Sequence, residues 1–453
     1  MAVGAIAGPF RLLTALYADE PMARVFSEEA TVDGWLRAEL ALCRAQASVG
    51  VVGEDDVHAL ERRIAARDVD LVALWAESRN VGYPVLPLVR QLAEPVDGAK
   101  PPRVHWGATT QDIMDTGLVL QLTAAGRRLE HLLIEFGDAL AELADRHRGT
   151  AMAARTHAQQ AVPTTFGAKI AAYLGQVTRD LGRQRTATAG VSTVSIYGAG
   201  GTSAALGETA GAIRRAMAAD LGLGHDDVPW HVARDRLVEF GAVCASAAGT
   251  AGRFGREVAD LSRTEIAEVR EVDGHHRGAS STMPQKRNPI SSEAMVGFGV
   301  HAATLLPGLY RTLEAGHERA AGEWQAEWMI LPDLACSAAG ALALAADTAR
   351  GLQVDARAMA ANMDAEGGSV MSEAYMMRLA PHLGREKAHD TVYAAAGRAR
   401  ADGTTLDAVL RDTAEVVALL PDGIDPGDYV GQAESICDRA LETWSVQREA
   451  KGR

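Results

Sequence analysis

Residues Gly278–Pro289 read Gly-Ala-Ser-Ser-Thr-Met-Pro-Gln-Lys-Arg-Asn-Pro. Two adjacent serine hydroxyls precede Pro284, and a lysine and an asparagine lie between Pro284 and Pro289. A serine hydroxyl is a poor base in water, because its alkoxide is unstable. A nearby cation and oriented donors change that. Ser280 is placed to act as such a base, and Lys286 can hold a carboxylate beside it. The chemistry this combination suits is removal of a proton from the carbon next to a carboxylate. Taken by itself the stretch also reads as a polar surface turn.

Two further blocks carry chemistry. One is His105-Trp-Gly-Ala-Thr-Thr-Gln-Asp112, followed by Asp115 and Thr116. The other is Arg155-Thr-His-Ala-Gln-Gln-Ala-Val-Pro163. Together with Gly278–Pro289 these resemble the ordered signatures of the fumarase/aspartase superfamily, whose motif is Gly-Ser-Ser-x-Met-Pro-x-Lys-x-Asn. Ala279 stands where the motif has glycine, while Ser280, Ser281, Met283, Pro284, Lys286 and Asn288 match it. The resemblance spans nearly the whole chain and weakens after about residue 400. It implies β-elimination through an aci-carboxylate, an intermediate that needs fixed donors aimed at its developing charge. It implies Ser280 as the base, with Ser281 second in line, and Lys286 and Asn288 on the carboxylate with a helix N-terminus behind them. His157 is implied as the acid on the leaving-group side, apt because histidine titrates near neutrality. Thr109, Thr110, Thr156, Gln160 and Arg319 match substrate-binding positions. No metal or cofactor is required.

These residues must be positioned by long helices. Proline is absent from 103–162, 164–228, 230–283 and 333–380, and such windows permit them. The clearest helix is expected over about 233–270. Its stripe of Leu237, Phe240, Cys244, Ala247, Ala251, Phe254, Val258 and Leu261 is spaced alternately three and four apart. At 1.5 Å per residue such a rod runs roughly 50 Å, more than one small domain covers. A second helix is expected over about 116–147, with Leu118, Leu122, Leu129, Leu132, Leu133, Phe136, Leu140 and Leu143 on one face. Both stripes read as core. Convincing strands are missing, and a glycine-rich loop is expected over 195–207, near the active site by resemblance. Residues 94–102 read as a surface loop. The expected fold class is all-α. The resemblance implies a helical N-terminal domain (1–108), a central long-helix bundle (109–354) and a helical C-terminal domain (355–453). It also implies a homotetramer with a twenty-helix core and shared active sites.

Composition narrows the partners. The chain has 453 residues, 47% hydrophobic and 23% charged, with net charge −14. An acidic chain without a basic run argues against nucleic acid and anionic membranes. The four cysteines, at 43, 244, 336 and 437, have neither zinc nor redox spacing. With no signal-peptide pattern at the N-terminus and no long uninterrupted apolar run, a cytoplasmic location is expected.

The phrases Val104–Ile113, Gln159–Gly167 and Gly322–Trp328, and the segment Leu16–Val52, are most similar to the bacterial 3-carboxy-cis,cis-muconate cycloisomerase branch. His157 departs from it, since those enzymes typically lack this histidine. Adenylosuccinate lyase is the eliminating relative, but its second histidine is absent from residues 78–84. Trp324 and Trp328 also stand where that enzyme has phosphate-binding residues. The expected reaction is therefore elimination of a small substituted succinate or N-substituted aspartate to fumarate or an analogue. The alternative is the cycloisomerase. Adenylosuccinate lyase, or a non-enzymatic structural protein as in lens crystallins, is the remoter reading.

Overall fold

The computed structural model describes residue 13 and residues 16–66, 69–95, 101–420 and 423–450. The N-terminal ten residues read for a leader lie outside the described residues, as do 96–100 of the expected surface loop. In chain order the helices are α1 (Glu20–Val25), α2 (Glu28–Ser48), α3 (Glu54–Ala65), α4 (Leu71–Val81), α5 (Val85–Leu92) and α6 (Thr110–Arg146). A hairpin follows, β1 (Ala151–Thr156) with β2 (Gln159–Thr165), then α7 (Phe166–Val191), α8 (Ala210–Leu221) and α9 (Asp235–Leu261). After β3 (Val269–Arg270) come α10 (Ile290–Tyr310) and α11 (Glu323–Gly351). The chain ends with β4 (Gln353–Val354), α12 (Ala356–Met363), α13 (Ser372–Leu383), α14 (Arg385–Asp402), α15 (Leu406–Arg411) and α16 (Ala433–Glu449).

Helices α6, α7, α9, α10 and α11 pack along one continuous apolar core. Every residue of the Leu237–Leu261 stripe is buried in it. The α6 stripe is buried too, except Leu118, which is partly covered. Glycine permits a close crossing where α9 meets α10. A Cβ on Gly299 would lie 3.6 Å from the Gly252 Cα and 3.2 Å from the Ala248 carbonyl oxygen. Separate apolar clusters hold α2 to α5 and α8 near the N-terminal end, and α13 to α15 near the C-terminal end.

The fold departs from the sequence expectation in three places. Helix α9 stops at Leu261, capped at Ser262, because a turn returns the Ala267 N–H to the Arg263 carbonyl and Ala267 takes φ 53°. Helix α11 runs through Pro332 and begins nine residues before it. A hairpin also forms where no convincing strand was expected: β1 and β2 pair antiparallel, with Pro163 opposite Ala153 and an irregular register between Ala153 and Arg155. Among the described residues α11 alone is long and apolar enough to cross a membrane by length and composition, and 67% of that window is buried in the bundle.

Buried charge ties the bundle together where α6, α9 and α11 begin. Arg234 is 2% exposed and grips Asp115 with Nη1 and Nη2 at 2.8 and 3.0 Å. Its Nε and Nη2 reach Glu327 at 2.9 and 2.6 Å. Asp115 and Glu327 are 1% and 0% exposed. Burial opposes the charge on Arg234, and the two carboxylates outweigh it, so its pKa rises. Burial also pushes Glu327 up, against the pull of Arg234. Removing one member of such a cluster leaves buried charge uncompensated, at a cost of about 3–5 kcal/mol. Arg234→Met is therefore expected to lower the urea midpoint by that equivalent, compared at equal protein concentration. A change below about 1 kcal/mol would contradict this reading of the cluster.

Candidate active site

The first patch is built on the start of α6. Thr109 is its N-cap residue, and the Asp112 carboxylate accepts from the Thr109 N–H at 3.0 Å. The same buried carboxylate accepts from the N–H groups of Tyr197 and Gly198 at 2.8 and 2.9 Å, and meets His231 Nε2 at 2.8 Å. Asp112 thus pins the glycine-rich 195–207 loop against the helix start. Arg319 crosses the same place. Its Nη1 donates to Thr109 Oγ1 at 2.9 Å, its Nε to Gln111 Oε1 at 3.1 Å, and its Nη2 to the Ala199 carbonyl at 3.3 Å. The backbone N–H groups of Thr110 and Gln111 have no partner among the described residues. A guanidinium beside open N–H groups at a 37-residue helix N-terminus has the charge and donors to hold an anion. Gln111 was not singled out from the sequence, although it sits inside the block that was. Its amide also donates to Asp115 and to the His231 carbonyl, at 3.1 and 2.8 Å.

The second patch is the hairpin tip. His157 and Ala158 are the two-residue loop between paired Thr156 and Gln159, and both take positive φ, 51° and 63°. Two successive positive φ values are what a type I′ hairpin turn requires, and Asn-Gly is the usual occupant. Two side-chain-bearing residues there hold strain that the hairpin base must offset. Just below the tip the hairpin is clamped by Arg155, whose Nη1 and Nη2 donate to buried Glu268 at 2.9 and 2.7 Å. Asn362 of α12 donates to the same carboxylate at 2.8 Å. The result presents His157 exposed at the tip, with Thr156 beside it and Gln160 paired opposite Arg155.

The third patch is the loop before α10. Its neck is closed at Gly278, whose carbonyl accepts from the backbone N–H and the Nδ2 of Asn288 at 2.9 and 3.0 Å. Gly278 has φ 65°, and a Cβ there would lie 2.3 Å from the Asn288 carbonyl oxygen, so glycine is required. Ser280 Oγ accepts from the N–H groups of Thr282 and Met283, at 3.3 and 3.1 Å. Donors aimed at a hydroxyl oxygen favour its ionised form. Ser281 and Lys286 are exposed. The structure alters one expectation. The N-terminus of α10 is occupied by Glu271, which accepts from the N–H groups of Ser291 and Ser292 at 3.3 and 2.8 Å. The open helix start is that of α6, beside Arg319. Asn288 spends part of its amide on closing the loop and keeps one N–H.

One chain therefore brings Thr109, Thr110 and Arg319 together, and separately Ser280, Ser281, Lys286 and Asn288, and separately Thr156, His157 and Gln160. Among the described residues no hydrogen bond or ion pair joins the three patches. No group of three or more metal-ligating side chains occurs among the described residues either.

The matches to known proteins follow this geometry. The lyase family model matches residues 16–303, and a model for the adenylosuccinate lyase C-terminus matches 368–440. A 3-carboxy-cis,cis-muconate cycloisomerase from Pseudomonas aeruginosa is 43% identical over 95% of this chain and 96% of its own length. A nitrosuccinate lyase from Streptomyces davaonensis is 38% identical over 95% and 94%. The crystal structure of a 3-carboxy-cis,cis-muconate lactonizing enzyme from Pseudomonas putida superimposes with a TM-score of 0.91 at 38% identity, covering 96% and 99%. The chain belongs to the fumarase/aspartase lyase superfamily. It is an enzyme of that class by descent, and its relatives include both cycloisomerases and eliminating lyases. They support the cycloisomerase reading more strongly than the elimination expected from the sequence.

His105 heads the first patch with φ 61°, and its Nδ1 lies 2.7 Å from buried Glu39. Burial alone would lower its pKa, but the hydrogen bond and charge of Glu39 raise it above the usual histidine value. A raised folded pKa stabilises the fold fully below the unfolded value of about 6.5, and the gain is lost as pH rises through the folded value. The thermal midpoint of the wild type should exceed that of Glu39→Gln by more at pH 6 than at pH 9. A gap that is constant or widens with pH would contradict this.

Proposed function

We propose that this chain is a 3-carboxy-cis,cis-muconate cycloisomerase-type enzyme, acting on a small unsaturated polycarboxylate through an aci-carboxylate intermediate. The observation that carries the reading is the pairing of two complementary patches. One is an arginine at an open helix start. The other is a serine oxygen held by two backbone donors on the superfamily loop. The identity of 37–43% to cycloisomerases across nearly full length supports this reaction.

In this reading Arg319, Thr109 and Thr110 hold one substrate carboxylate at the start of α6. Lys286 and the remaining Asn288 N–H, with Ser281, hold the carboxylate that takes up the aci charge. Lactonisation is then elimination run backwards with a tethered group. A substrate carboxylate oxygen adds to one alkene carbon, the electron pair moves into the neighbouring carboxylate, and Ser280 Oγ–H delivers its proton to the carbon beside it. The serine is left ionised, held by the N–H groups of Thr282 and Met283, and recovers a proton from solvent. The residues present supply every step without a cofactor. Thr156 and Gln160 border the site on the hairpin side.

Among the described residues no hydrogen bond or ion pair joins the three patches within one chain, which supports a site assembled from several chains of a homotetramer with a twenty-helix core. Support comes from α10, which is apolar around its circumference yet leaves Val300 61% and Tyr310 50% exposed in the single chain. The division into 1–108, 109–354 and 355–453 is kept on the resemblance alone, since the apolar clusters cross its boundaries: Ile113, Ile196 and Met217 join the N-terminal cluster, and Met22, Met359 and Trp444 join the central one. A cytoplasmic location is supported by four free, buried cysteines.

One observation favours a second reading, β-elimination to fumarate. His157 is held at a strained, exposed hairpin tip, as an acid for a leaving group would be. A substrate panel separates the two. The expected result is efficient turnover of 3-carboxy-cis,cis-muconate, a loss of about 10²–10⁴-fold in Ser280→Ala, and activity retained in His157→Ala. Adenylosuccinate is expected to be a poor substrate. Fumarate release from small N- or nitro-substituted succinates, lost in His157→Ala and unaccompanied by lactonisation, would overturn the proposal in favour of elimination.

A further inference from the structure

Tyr83 stands in the turn between α4 and α5, in the segment where the eliminating relative would carry a second histidine. Gly82 takes φ 89° at the end of α4 and Pro84 opens α5, so the turn directs Tyr83 back at the bundle. Its ring stacks on Trp324, with centroids 5.7 Å apart and planes at 23°. It meets Trp328 edge-on at 6.2 Å, and the two indoles lie 5.1 Å apart at 80°. Three rings in this offset and edge arrangement form a rigid apolar wall.

The wall is fixed relative to the anion site by a chain of hydrogen bonds. Trp324 Nε1 donates to Asp115 at 3.2 Å. Gln111 donates to the same carboxylate at 3.1 Å and accepts from Arg319 at 3.1 Å. Behind the chain Arg234 neutralises Asp115. Beside the indoles lies a cavity of about 710 Å³ whose lining includes Trp35, Met114, Asp115, Trp324 and Trp328 and contains no Lys or Arg. Its other acid is Asp333, whose carboxyl burial pushes above the usual range.

Two polar atoms at this wall are uncommitted. The Tyr83 hydroxyl oxygen accepts from Gln325 Nε2 at 3.2 Å, which leaves its own proton free to donate. Gln325 Oε1 is buried and has no partner. Turning the amide over would satisfy the Tyr83 proton and strand the nitrogen instead. In either orientation the pair is one hydrogen bond short, and an unpaired buried polar group is costly.

We infer that Tyr83, Trp324, Trp328 and Gln325 form the specificity subsite for the flat, unsaturated arm of the substrate, with the Tyr83 hydroxyl donating to an oxygen at its end. This rests on the proposed polycarboxylate reading for the carboxylate at Arg319. The indole faces take conjugated carbons, and one neutral donor suits one carboxylate or lactone oxygen. A phosphate would meet two indoles in a cavity lined by no Lys or Arg.

Equilibrium binding to the Ser280→Ala enzyme tests this without turnover. Calorimetry extended to millimolar ligand compares fumarate, which lacks the second unsaturated arm, with 3-carboxy-cis,cis-muconate. Adding Tyr83→Phe should weaken the long ligand about tenfold or more and leave fumarate unchanged. Gln325→Met should act in the same direction, and serves if the first variant misfolds. Equal weakening of both ligands, or of neither, would overturn the subsite. In the Ser280-intact enzyme, Tyr83→Phe should raise KM with little change in kcat, the mark of ground-state binding. Absence of lactonisation with the binding difference intact would overturn the cycloisomerase reading and leave the subsite standing.

Discussion

The buried contact of Arg234 with Asp115 and Glu327 is the constraint from which the site's geometry follows. It joins the starts of α6, α9 and α11, three helices that, among the described residues, meet nowhere else through charge so deeply enclosed. Two carboxylates around one guanidinium are expensive to bury and worse to break. Such a cluster adds little net stability over apolar packing. What it does here is fix register. Asp115 faces Arg234 on one side and Trp324 and Gln111 on the other. Gln111 in turn carries Arg319. A shift of α11 along α6 would therefore break the cluster and misplace the anion site in one movement.

A parallel arrangement serves the other patches. Glu268 holds the hairpin through Arg155, and Glu271 holds the start of α10 through Ser291 and Ser292. In each case a carboxylate is spent on structure so that a neighbouring residue can be left uncommitted. His157 and Lys286 are the groups left free, and the Ser280 hydroxyl keeps only a long contact to Thr282 Oγ1 at 3.5 Å. Structural carboxylates near a site for anions also make chemical sense only when each is paired, as these are. Lactonisation and elimination differ little in this frame, because both pass through the same aci-carboxylate. The difference lies in whether the departing group is tethered, and so in whether a separate acid is needed.

Much of this was legible in the sequence, for physical reasons. The Leu237–Leu261 stripe is visible because burial selects apolar residues at helical spacing, and those residues are the core of α9. The loop residues Ser280, Lys286 and Asn288 are visible because their types and spacing resemble a known motif. The Arg234 cluster left no pattern. Its members lie 119 and 93 residues apart, and a single arginine in a charged segment looks like a surface residue. The hairpin was missed because His157 and Ala158 replace the usual Asn-Gly and because Pro163 sits in the second strand. The overlong expectation for α9 has a similar cause. Residues past Leu261 keep good helix formers, while the stop is a turn with Ala267 at positive φ. The cap on α10 by Glu271 depends on a loop closing over twenty residues, which no local pattern encodes.

The account's central claim is that one working site combines patches from different chains. Mixing two inactive variants under subunit-exchange conditions tests it most directly. One carries Ser280→Ala and the other Arg319→Met, so that each lacks a residue both reactions need. If the loop and the anion site belong to different chains, mixed tetramers contain some sites with both native residues. Activity should then appear on mixing and be absent from either variant alone. Verified subunit exchange with no recovered activity would place Ser280 and Arg319 in the same chain's site and contradict the account.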